Sequence, residues 1–203
     1  IRLGTSVLVL PYLNPIALAK SLATLDILCA GRLTLGVGVG MLRPESDALG
    51  GDFSRRGAYA DESIEVMKEL WTQDAAEFHG QYVDFPAVRC NPKPAQTPHP
   101  PVLLGGSAKR VFNRVVAWGD GWLPIRTTPE DIKAARATLS ELAEVAGRDP
   151  DTINITVSGL TPDRDLIDRF EEAGADRVLI RASGPDQAGL VSDLEEIARK
   201  VLS

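Results

Sequence analysis

The sequence has few of the features that mark secreted, metal-binding or membrane-spanning proteins. Its only two cysteines among 203 residues are Cys29 and Cys90, which lie far apart and without metal-ligand spacing. Such cysteines are typical of buried, reduced thiols, and they predict a cytoplasmic protein. No apolar run approaches the ~20 residues that cross a bilayer, and no secretory signal is visible. We therefore expect no membrane association.

Clusters of basic residues and of catalytic residue types are also lacking. The formal net charge is −6 and no basic run occurs, which argues against nucleic acid and anionic membrane surfaces as partners. His79 and His99 lie in irregular segments without a second ligand at metal spacing, so we interpret them as surface or turn residues. No Gly-x-Ser-x-Gly elbow, cysteine–histidine pair or paired carboxylate motif is present. The sequence thus predicts neither a metal site nor a self-sufficient hydrolase.

Two short apolar runs, residues 2–11 and 33–40, organise the start of the chain. Each has the length of a strand and is apolar on both faces, which suits a parallel sheet covered on both sides. The second run has glycine at every other position from Gly36 to Gly40. Its G-x-G-x-G spacing, followed by Pro44, disfavours a dinucleotide fingerprint because no helix start follows for a pyrophosphate. A close-packed strand and a strand end facing a flavin-type ring stay open as alternatives.

Helix signals and breakers divide the first half of the chain. A helix is predicted over 14–29, with Asn14 as its N-cap and a buried stripe of Ile16, Ala19, Leu22, Ala23 and Leu25. Residues 41–56 carry no sustained period and predict a long loop. A second helix is expected over 57–71, burying Ala60, Ile64, Met67 and Trp71. Residues 72–100 are rich in proline and predict irregular structure, with a hairpin turn over 78–82.

The second half alternates regularly between strand and helix. Strands are predicted over 102–104, 121–123, 153–157 and 176–180, and helices over 108–118, 128–146, 163–173 and 186–202. The helix from Thr128 has a cap and a proline in the favoured places. Its predicted buried stripe is Ile132, Ala135, Leu139, Leu142 and Ala146.

The alternation of six strands with six helices predicts an α/β fold with a parallel sheet and right-handed crossovers. An open doubly wound sheet and a (β/α)8 TIM barrel lacking its first two units both fit this pattern. The chain opens directly inside a strand and without an initiator Met, which favours the barrel. We predict a single barrel domain over 1–203, N-terminally incomplete, with a long insertion or loop region at about 41–100.

Gly105, Gly106 and Ser107 stand between a predicted strand and a predicted helix. Backbone N–H groups at a helix start, together with the Ser107 hydroxyl, can bind an anion at the carboxyl end of the strand. The alternative is a plain tight turn with Ser107 as the helix N-cap. Because ligands of a barrel lie at its C-terminal face, we favour a phosphate site. Trp122, at the end of the next strand, is either core or pocket wall, and we interpret Asp120 as a turn carboxylate.

Several motifs occur in order along the whole chain, namely Gly4-Thr5-Ser6-Val7-Leu8, Asn14-Pro15, Gly31-Arg32-Leu33, Leu35-Gly36-Val37-Gly38-Val39-Gly40, Leu49-Gly50, Phe78-His79-Gly80, Pro92-Lys93-Pro94, Gly105-Gly106 and Gly119-Asp120-Gly121-Trp122. With these the chain resembles the bacterial luciferase-like monooxygenase superfamily, and most nearly its branch that uses the deazaflavin coenzyme F420. The resemblance implies a luciferase-like (β/α)8 barrel with F420, or alternatively FMN, at its C-terminal mouth. It also implies a small organic substrate and a homodimer.

The resemblance assigns roles to residues of the first strands. It implies a non-prolyl cis peptide bond between Ser6 and Val7 that props the cofactor ring, with Val39 and Gly40 beside that ring. Met41 stands where sugar-phosphate dehydrogenases of the F420 branch carry a catalytic glutamate, so that substrate is not expected.

The resemblance also bears on the second half and on catalysis. Gly105, Gly106 and Ser107 match the loop that holds the cofactor phosphate, in agreement with the anion site inferred from the residues. The family's Asp-His pair would lie upstream of Ile1, so the catalytic residues stay unknown. We expect an oxidoreductase or monooxygenase that transfers hydride or oxygen. The alternative is a non-catalytic flavin-binding barrel, or a partner subunit of a luciferase-like heteromer.

Overall fold

The computed structural model describes residues 1–107 and 109–202. The chain divides into two compact units, unit 1 from Ile1 to Leu103 and unit 2 from Leu104 onward. Ala108, where the predicted helix 108–118 was expected to begin, lies outside the described residues.

The elements follow the predicted alternation with a few additions. The helices are α1 (Pro15–Leu28), α2 (Arg43–Ala48), α3 (Arg56–Thr72), α4 (Lys109–Ala117), α5 (Pro129–Val145), α6 (Arg164–Glu172) and α7 (Gln187–Val201). The strands are β1 (Leu3–Gly4), β2 (Leu8–Val9), β3 (Leu33–Gly38), β4 (Ala76–His79), β5 (Asp84–Val88), β6 (Val102–Gly105), β7 (Gly121–Leu123), β8 (Asn154–Leu160) and β9 (Arg177–Ile180).

The first apolar run of unit 1 forms two short strands rather than one. Both β1 and β2 pair in parallel with β3, in the registers Leu3↔Leu33 and Leu8↔Val37. On the other side of β3, the Leu35 N–H donates to the Pro101 carbonyl at 2.7 Å, just before β6 begins. β3 is therefore a central strand, and its buried residues Leu33, Leu35 and Val37 form part of the core of unit 1.

Helix α1 begins as predicted, but its buried stripe is partly different. The Asn14 side chain accepts hydrogen bonds from the Ile16 and Ala17 N–H groups at 3.0 and 3.1 Å. Leu25 is 38% exposed, and Asp26 is fully buried. The prediction that Leu25 is buried was wrong, because Asp26 is buried instead. A carboxylate can be buried inside a fold when hydrogen-bond donors satisfy it. The donors here are the backbone N–H and the Nε2 of Gln96, at 2.9 and 2.8 Å.

The prediction of a continuous loop over 41–56 was also wrong, because α2 lies within it. α2 spans only six residues, with Pro44 in its first turn and Ser46 as its one buried residue. A helix this short shows less than two turns of any hydrophobic pattern, so periodicity could not reveal it.

The hairpin predicted around residues 78–82 is confirmed by the antiparallel pair β4 and β5. The carboxylate of Glu62, on α3, accepts hydrogen bonds from the backbone N–H groups of Gln81, Tyr82 and Val83 at 2.9, 2.6 and 2.6 Å. Three backbone donors on one carboxylate fix the turn against α3. The region 72–100 therefore contains regular structure in its first part.

Unit 2 contains the end of β6 and the strands β7, β8 and β9, and β8 pairs in parallel with both β7 and β9. α5 has the predicted start, with Thr128 and Asp131 forming a reciprocal capping box. Its buried stripe is Ile132, Ala135, Leu139 and Ala143. Leu142 and Ala146 were predicted in this stripe, but Leu142 is half-buried and Ala146 is exposed. The buried residue after Leu139 is Ala143, four positions on, because the stripe continues at the i+4 spacing rather than i+3.

Two further expectations concern the cysteines and membrane insertion. Cys29 and Cys90 are both buried and free, as predicted. Among the described residues, no helix is both long enough and apolar enough to cross a bilayer.

Candidate functional site

The site residues predicted in unit 1 lie in two segments: Ser6 and Val7 stand between β1 and β2, and Val39 and Gly40 directly follow β3. The peptide bond between Ser6 and Val7 is cis, as the resemblance implies. Just before it, the Thr5 hydroxyl donates to the Gly36 carbonyl at 2.8 Å, which ties the segment to β3. Ser6 is exposed and the Val7 side chain is 39% exposed. The segment thus exposes a polar and an apolar side chain between β1 and β2.

Two glycines let the neighbouring side chains approach the end of β3 closely. A Cβ atom added to Gly38 would lie 2.9 Å from Val7 Cγ2. At Gly40, where φ is +78°, an added Cβ would lie 2.8 Å from the Tyr12 hydroxyl. Side chains at these positions would displace Val7 or Tyr12, so this packing requires glycine at both. Val39, between them, is half-buried.

Arg56 and Tyr12, which lie beside Gly40, and their partners Phe53 and Glu45 were not predicted as site residues from the sequence. The Arg56 guanidinium donates through Nε to the Gly40 carbonyl at 3.1 Å and stacks 3.7 Å from the Phe53 ring centroid. The Tyr12 hydroxyl donates to the Glu45 carboxylate at 3.3 Å. Desolvation of the phenol and the charge of Glu45 raise the pKa of Tyr12, whereas Arg56 acts in the opposite direction. Tyr12 therefore stays a neutral hydrogen-bond donor at neutral pH.

The predicted anion loop of unit 2 follows β6 and precedes α4. Gly105 is half-buried, whereas Gly106 and Ser107 are exposed. Gly106 has φ +113°, a conformation that side-chain-bearing residues rarely adopt. Gly106 and Ser107 are thus accessible just after the end of β6, and α4 begins at Lys109.

Trp122 resolves the alternatives left open by the sequence, because it is 4% exposed and belongs to the core of unit 2. Its indole Nε1 donates to the Gly106 carbonyl at 2.7 Å. Its ring also meets Phe112, on α4, edge to face with the centroids 5.0 Å apart. Trp122 therefore contacts both the glycine turn and the helix that follows it.

The histidines lie in unit 1 and form no metal site. His99 is half-buried, with its ring centroid 5.9 Å from that of Trp71. His79 is exposed, as predicted, and its Nδ1 lies 2.6 Å from the Asp84 carboxylate across the hairpin. Within the part of the chain that the structure describes, no group of three or more histidine, cysteine or carboxylate side chains could hold a metal ion.

The His79–Asp84 pair gives a testable pH dependence. The hydrogen bond to Asp84, then its charge, raises the pKa of His79. A raised pKa means that the pair stabilises the folded hairpin fully below the ordinary value of about 6.5. This contribution is lost as the pH rises through the raised value. We expect Asp84→Asn to lower the pKa of His79 in an NMR titration, with Asp74→Asn as the control. An unchanged His79 pKa in Asp84→Asn would refute the pairing.

Sequence comparisons relate the chain to known proteins. The family model described as luciferase-like monooxygenase matches residues 1–172. An uncharacterized protein of Mycobacterium tuberculosis is 35% identical over 206 residues, which cover 99% of this chain and 71% of the relative. A Pseudomonas putida protein named FMNH2-dependent dimethylsulfone monooxygenase is 32% identical over 142 residues, covering 65% of this chain and 39% of the relative.

A structural comparison gives the fold. The coenzyme F420-dependent tetrahydromethanopterin reductase from Methanopyrus kandleri superposes with a TM-score of 0.82 at 17% identity, over 100% of this chain and 82% of that chain. The likeness confirms the predicted fold class, an α/β fold of the luciferase-like barrel type, over the open doubly wound alternative. At this identity it shows the fold alone.

Proposed function

Since the chain belongs to the luciferase-like monooxygenase family, we propose that it is an oxidoreductase that uses F420 or FMN to act on a small organic substrate. One observation carries the proposal: in the turn that follows Gly105 at the end of β6, Gly106 and Ser107 are exposed and Gly106 has φ +113°. A turn of this kind offers backbone and hydroxyl donors to a phosphate, a group that both cofactors carry.

In this proposal a flat cofactor ring lies against residues of unit 1. Gly38 and Gly40 have no side chains. A Cβ atom at Gly38 would lie 2.9 Å from Val7 Cγ2, and one at Gly40 would lie 2.8 Å from the Tyr12 hydroxyl, so Val7 and Tyr12 occupy the space that such side chains would need. We propose that Val7 and Val39 supply apolar contact to the ring, and that Ser6 and Gly40 lie against its edge. Apolar contact of this kind excludes water from one face of the ring and orients the other toward substrate.

In this proposal the cofactor supplies the redox chemistry and the protein supplies binding and orientation. Gly105, Gly106 and Ser107 would hold the phosphate by hydrogen bonds. Arg56 keeps the Gly40 carbonyl in place through its 3.1 Å hydrogen bond. The catalytic acid or base stays unassigned.

A fluorescence titration of the protein with F420, and separately with FMN, tests the proposal. The reductase of similar fold is named as F420-dependent, whereas the Pseudomonas putida relative is named as FMNH2-dependent. Both cofactors join a tricyclic ring to a phosphate, so the residues above suit either. Binding of one of them at micromolar concentrations supports the proposal and selects the branch. Binding of neither would contradict it.

A non-catalytic flavin carrier, or a partner subunit of a heteromer, is the second candidate. It is favoured by Met41, which is 83% exposed and stands where the F420-dependent sugar-phosphate dehydrogenases carry a catalytic glutamate. Turnover of the reduced cofactor with any substrate separates the two candidates. The single barrel domain over 1–203, the homodimer and the cytoplasmic location stay predictions.

A further inference from the structure

The indole of Trp122 is hydrogen-bonded to the predicted anion loop, residues 105–107. Trp122 lies on β7 and is 4% exposed, so its indole N–H needs a hydrogen-bond acceptor within the protein rather than in water. That N–H donates to the Gly106 carbonyl at 2.7 Å, a short distance for such a bond. The carbonyl of Gly106 is therefore directed toward the interior of unit 2.

This contact fixes the direction of the next backbone donor. The Gly106–Ser107 peptide bond is not among the cis bonds of the chain, so it is trans. In a planar trans peptide the C=O and the following N–H point in opposite directions. Because the Gly106 carbonyl points inward to Trp122, the Ser107 N–H points away from the interior, on the side where Ser107 itself is exposed.

We propose that Trp122 is a positioning residue for the cofactor phosphate: its indole N–H holds the Gly106–Ser107 peptide plane so that the Ser107 N–H faces the anion. The inference rests on the proposed function, because it takes the 105–107 loop as the phosphate site. It adds a residue that itself touches no cofactor atom and acts only through Gly106.

The conformation of Gly106 explains why such a restraint is needed. A glycine turn has access to many backbone conformations, and φ of +113° is only one of them. If the plane rotated, the Gly106 carbonyl oxygen would replace the Ser107 N–H on the exposed side. An acceptor oxygen would then face the phosphate instead of a donor. A correctly held plane lowers the ordering cost of binding, which is the general effect of preorganisation.

The test compares each cofactor with its phosphate-free counterpart in wild type and in Trp122→Phe. Phenylalanine keeps an aromatic ring beside Phe112 but has no N–H for Gly106. The ligand pairs are FMN with riboflavin, and F420 with its phosphate-free deazaflavin chromophore. We expect the affinity for the phosphate-bearing ligand to fall about 10-fold, as for loss of one buried hydrogen bond, while the affinity for the phosphate-free ligand stays unchanged.

Trp71→Phe is the matched control. Trp71 is likewise buried, and its Nε1 donates to a backbone carbonyl, that of Ala19, at 3.0 Å. The Trp71→Phe variant loses the same kind of hydrogen bond, but Trp71 belongs to unit 1 and is more than 30 positions before residue 105 in the sequence. It is expected to keep the wild-type preference for phosphate.

A second variant guards against a folding defect in Trp122→Phe. Replacing the indole by the benzothienyl side chain keeps the bicyclic shape and removes only the N–H. The inference predicts the same selective loss in this variant. An equal loss for both ligands of a pair, or an unchanged preference in both Trp122 variants, would overturn it. If the wild-type protein binds the ring but shows no preference for phosphate, the phosphate role of the loop fails together with the inference. If it binds neither ring, the proposed function itself fails.

Discussion

Replacement of Gly106 by aspartate is expected to lower the affinity for F420 or FMN by about 5- to 1000-fold, because like charges ~4 Å apart repel by ~1–4 kcal/mol near a protein surface. The new carboxylate would stand beside the cofactor phosphate in the proposed site. An aspartate would also be strained at φ +113°, so the turn itself would change. Both the charge and the altered turn are expected to lower the affinity for the cofactor. The measurement is the same fluorescence titration, made on the variant.

Gly147→Asp is the control for this variant. Gly147 has φ +69°, follows α5, and an added Cβ there would meet no atom within 4 Å. The substitution therefore introduces the same charge and a left-handed aspartate at a different part of unit 2. We expect wild-type affinity. Unchanged cofactor affinity in Gly106→Asp would show that the 105–107 loop does not bind the phosphate.

Replacement of Asp26 by asparagine is expected to lower the free energy of unfolding by about 2–3 kcal/mol, as for loss of a buried charge-assisted hydrogen bond. Asp26 is fully buried, and each carboxylate oxygen accepts one hydrogen bond from Gln96. An asparagine of the same size must place its NH2 group against one of these donors. One donor of Gln96 would then be buried without an acceptor.

The expected loss is measured by urea unfolding monitored by circular dichroism. Asp74→Asn makes the same chemical change at an exposed carboxylate and is expected to stay within about 0.5 kcal/mol of wild type, as is usual for surface substitutions. If Asp26→Asn is as stable as this control, then the Asp26–Gln96 contact does not stabilise unit 1.

Much of the fold could be predicted because its signals are local in sequence. The caps at Asn14 and Thr128 act within three residues, and each fixed the start of a helix correctly. The alternation of apolar strands and amphipathic helices in the second half has the same local character. Glycine turns such as 105–107 are visible for the same reason, since the residue type alone permits the backbone conformation.

The features that were missed depend on contacts between residues distant in sequence. Asp26 is buried because Gln96, 70 residues away, satisfies it, and a helical pattern alone favours Leu25 at that face. The indole of Trp122 bonds to Gly106 across 16 residues, so the sequence left its role undecided between core and pocket wall. Arg56, the last residue of the 41–56 segment, reaches the Gly40 carbonyl across 16 residues. No local periodicity encodes such partners.

The central claim is that the residues predicted for cofactor binding contact the cofactor, and backbone NMR tests it most directly. In ¹H–¹⁵N spectra recorded with increasing FMN or F420, the largest shifts are expected at the amides of Ser6, Val7, Val39, Gly40, Gly105, Gly106 and Ser107. The residues of the 105–107 loop should shift less with the phosphate-free ring than with the intact cofactor. Shifts concentrated on other elements, with these seven amides unchanged, would contradict the account.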